Sequence, residues 1–226
     1  MTTNEIPVEQ SGLSWPALFR GTLVKRYKRF LADVQVDNGG LVTAHCPNSG
    51  TMRACSEPGR PVYLSFHDSP KRKLKYTWEI IHMPDSLVGV NTLVPNRLVK
   101  QAVEDGQVQA LKGYDRVRAE VKTSEGSRLD LVLEKEGRRD CFVEVKNCTL
   151  VEGRVARFPD AITARGRKHL LELQRLVAAG NRGAMFFLVQ RMDADSFRPA
   201  DDIDPAYGQA LRKARDNGVD ILVYDV

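Results

Sequence analysis

Asp130, Glu144 and Lys146 are the residues best placed to do chemistry together. Glu144 and Lys146 are two apart in a strand-like run, so they share one face while Val143 and Val145 take the other. The turn joining this run to the preceding one is Glu136-Gly137-Arg138. If it is centred on Gly137, Asp130 and Glu144 are equidistant from the turn and face each other, with Cβ atoms roughly 4.5–5.5 Å apart. Facing carboxylates repel unless a cation or a shared proton intervenes. Oxygen ligands at that spacing suit Mg²⁺ or Mn²⁺, and a lysine beside them can orient water or help deprotonate it. Such a set fits phosphodiester cleavage, in which charge develops on the scissile phosphate and the leaving oxygen. The plain alternative is a solvated strand face of alternating charge. A second copy of the pattern, Glu120-Val121-Lys122, also lies on a strand. The Glu144 copy is preferred because Asp130 lies across its hairpin, whereas the first has only Asp115 on its own strand and Asp105 near a helix end.

Cations collect around this set. Arg165, Arg167 and Lys168 open the helix that follows the lysine strand, where a phosphate would meet positive side chains. Gln190 ends an apolar strand, a position that often faces the site in α/β sheets. Nearer the N-terminus, Lys25, Arg26, Lys28 and Arg29 flank Tyr27 and Phe30, and Lys71, Arg72, Lys73 and Lys75 flank Tyr76 and Trp78. Cations interleaved with aromatics can track a phosphate backbone and stack bases, although a small barrel also needs aromatics inside. The formal charge of +5 permits a nucleic-acid partner without requiring one.

The elements that must position these residues divide near residues 85–95. Before that boundary, short β segments are separated by Gly/Pro turns: Leu18 to Val36, Leu41 to Cys46, Pro61 to His67, and Lys73 to His82 with Leu74, Tyr76, Trp78 and Ile80 at period two. They predict a small barrel over residues 1–88. After it come a helix at Asn96–Asp105, strands at Arg116–Val121, Ser127–Leu133 and Cys141–Val145, and a helix at Ala164–Ala179. A fully apolar strand at Ala184–Val189, a helix at Pro205–Asp216 and a terminal strand at Val219–Tyr224 complete the chain. Residues 89–226 therefore read as an α/β domain with a mixed sheet. The terminal segment is too β-branched for the recognition helix of a helix-turn-helix.

Other classes are disfavoured. No apolar run reaches the length of a membrane helix, and Met1 to Gln10 is too polar for a signal peptide, so a soluble cytoplasmic protein is expected. Cys46, Cys55, Cys141 and Cys148 read as reduced thiols. His45, Cys46, Cys55 and His67 match no common zinc spacing.

Several blocks resemble the sugar fermentation stimulation protein A family of bacteria and archaea. They are Cys46-Pro47-Asn48-Ser49-Gly50-Thr51-Met52, Val90-Asn91-Thr92, Ser127-Arg128-Leu129-Asp130, Phe142 through Leu150, Phe158-Pro159-Asp160-Ala161, and Arg165-Gly166-Arg167-Lys168-His169-Leu170. The resemblance runs from about residue 15 to the C-terminus. It implies an OB-fold-like barrel followed by an α/β domain similar to PD-(D/E)xK nucleases, and DNA binding linked to sugar (maltose) metabolism. It places Asp130, Glu144 and Val145 at a Mg²⁺ or Mn²⁺ ion and Lys146 on the nucleophile. Glu120 becomes a further acidic member, with Arg128 and Gln190 in support. Leu129 stands where the motif's name has proline. The expected partner is DNA, with single strands and RNA left open, no membrane, and no oligomeric state implied. Two functions compete: a Mg²⁺-dependent nuclease, and a non-cutting DNA-binding regulator of sugar-use genes. A glycosidase pair is disfavoured by the adjacent lysine and the basic surroundings.

Overall fold

The computed structural model describes residues 12–124 and 127–226; the polar start of the chain, residues 1–11, and Glu125 and Gly126 lie outside the described residues. The first six strands are β1 (Leu18–Tyr27), β2 (Leu31–Val36), β3 (Leu41–His45), β4 (Pro61–Phe66), β5 (Tyr76–Met83) and β6 (Ser86–Gly89). They lie in the order β3-β2-β1-β4-β5-β6, and β3 also meets β5 in parallel at His45 and Thr77. That contact closes five strands into an OB-type barrel around Leu23, Val34, Val62, Leu64, Trp78 and Ile81.

Two local features of the barrel depart from the period-two reading. The stretch 18–36 is broken at Lys28–Phe30 by a turn in which Lys28 (φ 47°) and Arg29 (φ 63°) are left-handed. No glycine marks it, so sequence alone does not place it. In β5 the pairing with β4 slips between Tyr63–Ile80 and Leu64–Trp78, leaving Glu79 as a bulge residue. The bulge reverses the expected alternation: Trp78 and Ile81 are fully buried, Ile80 only partly, and Glu79 turns inward. Trp78 is thus core and cannot stack on a base.

The rest of the chain builds α1 (Val94–Glu104), β7 (Arg116–Ser124), β8 (Ser127–Glu134), β9 (Cys141–Cys148), β10 (Leu150–Glu152), β11 (Val155–Phe158), α2 (Ala164–Ala178), β12 (Arg182–Val189), β13 (Ser196–Pro199), α3 (Pro205–Asp216) and β14 (Asp220–Asp225). The main sheet runs β14-β12-β9-β8-β7; β12 is parallel to both its neighbours and the β7-β8-β9 meander is antiparallel. Central β12 is buried along nearly its whole length because α1 covers one face of the sheet and α2 with α3 the other. The strand read at the C-terminus pairs with β12, which leaves no helix-turn-helix there. The three-stranded sheet β10-β11-β13 has no sequence signal strong enough to read, its strands being only three or four residues long. No helix among the described residues is long and apolar enough to cross a membrane.

Contacts through Asp160 and Gln190 are among those that lock the barrel to the α/β part. The Thr51 hydroxyl donates to the Asp160 backbone carbonyl at 3.0 Å and to its carboxylate at 3.1 Å, and the Met52 N–H donates to that carboxylate at 3.1 Å. A Cβ at position 50 would sit 2.5 Å from Asp160 Oδ2, so any residue but glycine there displaces the carboxylate from this contact. At the second contact, buried Gln190 donates from Nε2 to the Gly89 carbonyl at 3.1 Å and to Asn147 Oδ1 at 2.8 Å. Gln190 is therefore a clamp between the two parts. Gln190→Leu strands two acceptors in a partly buried seam and should cost about 1–3 kcal/mol in urea unfolding. A loss below about 0.5 kcal/mol would show that the seam does not depend on it.

Candidate active site

The β8–β9 hairpin sets the geometry. Leu131 pairs with Val143, Val132 with Phe142 and Leu133 with Cys141, the offset of a turn centred on Gly137. The ladder stops just before Asp130 and Glu144. There the Asp130 carboxylate takes the Val145 N–H at 2.7 Å, and its other oxygen accepts from Asn96 Nδ2 on α1, also at 2.7 Å. In a strand a residue's N–H and C=O point to the same edge, so the Val145 carbonyl faces this gap too.

Glu144 is 2% exposed. Its Oε1 accepts from the Lys146 ammonium and from His169 Nδ1 on α2, while Lys146 Nζ lies 3.3 Å from that ring nitrogen. Arg165 Nε donates to His169 Nε2 at 3.4 Å, which leaves the ring proton on Nδ1 for Glu144. Glu144 Oε2 is buried and has no hydrogen-bond partner among the described residues. Such an atom is costly unless something outside the chain satisfies it.

Burial and the neighbouring Glu144 charge push the Asp130 carboxyl up to about 6, against the Val145 N–H, Lys146 and Asn96, which favour its ionised form. For Glu144, burial alone would raise the value, but the His169 hydrogen bond and the Lys146 charge together hold it below the ordinary carboxylate range. No group of three or more His, Cys, Asp or Glu side chains that could hold a metal occurs among the described residues. The chain thus offers two carboxylates and a carbonyl, which suits a hard cation that fills its remaining positions with water or phosphate oxygens. The orphaned Glu144 oxygen fits the same ion.

A groove of about 570 Å³ adjoins His169, lined by Lys122, Arg128, Arg165 and Lys168. Lys122 belongs to the less favoured Glu-x-Lys copy, and the fold brings it to the groove with the other three cations. Glu120 stands in register with Asp130, since its neighbours Ala119 and Val121 pair with Leu131 and Leu129. Its backbone, however, is left-handed (φ 55°). Its side chain is 58% exposed and 3.5 Å from Arg128, so no bond joins it to Glu144 or Lys146. Glu120 therefore stands beside Arg128 at the exposed end of this register position rather than in the hydrogen-bonded set around Glu144.

Several cations expected on nucleic acid have other partners. Arg26 donates to the Asn48, Gly50 and Thr51 carbonyls at 2.9, 2.9 and 3.2 Å and so holds the loop that clasps Asp160. Arg167 bonds the buried Asp204 at 3.0 Å, Lys75 bonds Asp68 at 2.9 Å, and Lys25 lies 3.6 Å from Asp33. Gln190 serves the seam described above. Lys28, Arg29, Lys71 and Lys73 are exposed on the barrel, and Arg72 bonds Thr77 Oγ1 at 2.8 Å. Asn96 lies in no sequence motif, and His169, though inside the Arg165–Leu170 block, is given no role by it. For His169 the one signal is its place beside Leu170 and one turn before Leu173, on the buried stripe of α2.

Comparison with known proteins adds an independent finding. A family model described as the sugar fermentation stimulation protein RE domain matches residues 93–226, and one described as the SfsA N-terminal OB domain matches residues 24–90. The chain is 55% identical to the sugar fermentation stimulation protein homolog of Geobacter sulfurreducens over 207 residues, covering 92% of this chain and 88% of that one. It is 49% identical to the homolog of Acidithiobacillus ferrooxidans over 213 residues, covering 94% and 92%. The solved structure of Pyrococcus furiosus SfsA in complex with Ca²⁺ matches with a TM-score of 0.86 at 25% identity, covering 95% of this chain and 91% of that one.

The acid pair makes a prediction about stability. Asp130 holds its proton to about pH 6 when folded against an ordinary 3.8, so native stability falls as pH rises through that window. Asp130→Asn removes the penalty. Without divalent cations its advantage over the parent should grow from near zero at pH 4 to about 1–3 kcal/mol at pH 7. An advantage independent of pH, or a loss at pH 7, would contradict the strained pair.

Proposed function

The chain belongs to the sugar fermentation stimulation protein family, and from that premise we propose that it is a metal-dependent phosphodiesterase that binds and cuts nucleic acid, DNA first. The observation that carries the reading is the buried Glu144 carboxylate, with one oxygen held by Lys146 and His169 and the other without a partner among the described residues, its charge felt by Asp130. A binding surface for phosphates gains nothing from two clustered carboxylates, which repel the ligand. The Ca²⁺ complex of Pyrococcus furiosus SfsA supports a hard divalent cation in this fold.

Asp130, Glu144 and the Val145 carbonyl would hold Mg²⁺ or Mn²⁺. When bound, such an ion neutralises charge on the scissile phosphate and makes water more acidic. The chain's own groups do the rest. His169 fixes one Glu144 oxygen and leaves the other for the ion. Asn96 and the Val145 N–H hold Asp130 in its rotamer before any ligand arrives. The Lys146 ammonium, anchored on Glu144 and mostly buried, supplies a directed donor for the attacking water or a phosphate oxygen. Lys122, Arg128, Arg165 and Lys168 give the flanking phosphates a cationic wall.

Plasmid nicking with Mg²⁺ or Mn²⁺, paired with thermal melts, tests the assignment. Lys146→Ala should lower cleavage by about 100-fold or more while keeping most of the rise in Tm that the cation produces. Asp130→Ala should lose both. If the parent and Lys146→Ala cut equally, the activity is a contaminant and the α/β part is a binding scaffold.

A further inference from the structure

A second cavity, of about 480 Å³, lies between the barrel and the start of α1 and shares no lining residue with the acid pair or the basic groove. Trp15, His45, His67, Arg72, Glu79 and Arg97 line it. Glu79, the residue turned inward by the β5 bulge, is 5% exposed. One of its oxygens accepts from Ser65 Oγ at 2.6 Å and the other from Asn91 Nδ2 at 2.7 Å. The Ser65 proton is committed to the carboxylate, so His67 Nε2, 3.0 Å from Ser65 Oγ, must be the donor of that pair. Asn91 is itself fixed, because its Oδ1 accepts the Leu93 N–H at 2.9 Å. The carboxylate is therefore held in one orientation with acceptor capacity left on both oxygens.

A carboxylate serving only to tie β4, β5 and α1 together would sit in a closed core. This one lines an open cavity in which positive groups outnumber it. Arg97 is exposed and has no hydrogen-bond or ion-pair partner among the described residues, and Arg72 uses only one of its donors, on Thr77. The half-exposed Trp15 ring and His45, stacked on Phe30 at a 6.5 Å centroid distance, supply flat faces. A fitting ligand combines adjacent N–H donors, an aromatic plane and an anion.

We propose that this cavity binds a guanine nucleotide, with Glu79 accepting from the ring N1–H and the exocyclic N2–H, the aromatic side chains flanking the base, and Arg72 and Arg97 meeting phosphate. Of the common bases only guanine offers two adjacent donors on one edge. Adenine, cytosine and thymine would set an acceptor against the carboxylate. Arginine forks suit the phosphate. The nucleotide is either part of a strand, in which case the inference rests on the nucleic-acid reading above, or free, in which case it stands without it.

Fluorescence anisotropy on the full chain, with EDTA present to prevent cleavage, tests the proposal. The probes are oligothymidylate carrying one dG, one deoxyinosine or one dA, with GMP as competitor. The dG strand should bind about 10-fold tighter than the dA strand, with deoxyinosine between them because it lacks the N2 donor. Glu79→Gln should cut the dG advantage to less than about twofold and leave oligothymidylate unchanged. Arg97→Met should weaken GMP about fivefold. If Glu79→Gln does not fold, the deoxyinosine series and Arg97→Met decide. GMP binding that needs Glu79, without a dG preference in strands, supports the pocket with free nucleotide as its source, even if no oligonucleotide binds and the nuclease reading fails. Equal binding of the dG and dA strands with no competition by GMP overturns the proposal and leaves the nuclease reading standing.

Discussion

Burial of the Glu144 carboxylate beside Asp130 is the constraint on which the rest of the structure turns. Two acids in a shared, largely desolvated gap are unfavourable on their own. The fold offsets this from every direction: Lys146 and His169 on Glu144, the Val145 N–H and Asn96 on Asp130. These partners come from β9, α2 and α1, so one helix on each face of the sheet is fixed by the same site. The compensation is incomplete, since Glu144 Oε2 has no partner among the described residues. That open acidic oxygen is where the proposed cation would complete the network.

The ladder between β8 and β9 could have continued past Leu131 and Val143, but it ends there and opens a gap that the Asp130 side chain spans. Around that gap the fold places a cationic groove, and it fixes the barrel against the α/β part through Asp160 and Gln190. Of the cavities that result, one lies beside His169 and another at the barrel's Glu79.

The parts of this arrangement legible in the sequence are those set by local periodicity. The hairpin register follows from Gly137 alone, the shared face of Glu144 and Lys146 from strand alternation, and the buried centre of the sheet from the apolar run at β12. Illegible are the features that depend on partners far along the chain. Arg26, Arg167 and Gln190 look like ligand-binding residues because their carbonyl and carboxylate partners lie 22 to 101 residues away. Glu79 is turned into the barrel's cavity by a bulge, and Glu120 has a left-handed backbone, neither of which a glycine or proline announces. His169 is hidden because a buried polar residue on a helix stripe reads as core until its partner is known.

The most direct test of the central claim is anomalous diffraction from crystals of the parent and of Asp130→Asn soaked in Mn²⁺. The account predicts a peak in the parent within bonding distance of Asp130, Glu144 Oε2 and the Val145 carbonyl, and its loss or strong reduction in the variant. A parent with no peak at this gap, or a peak that persists unchanged without the Asp130 charge, would contradict it.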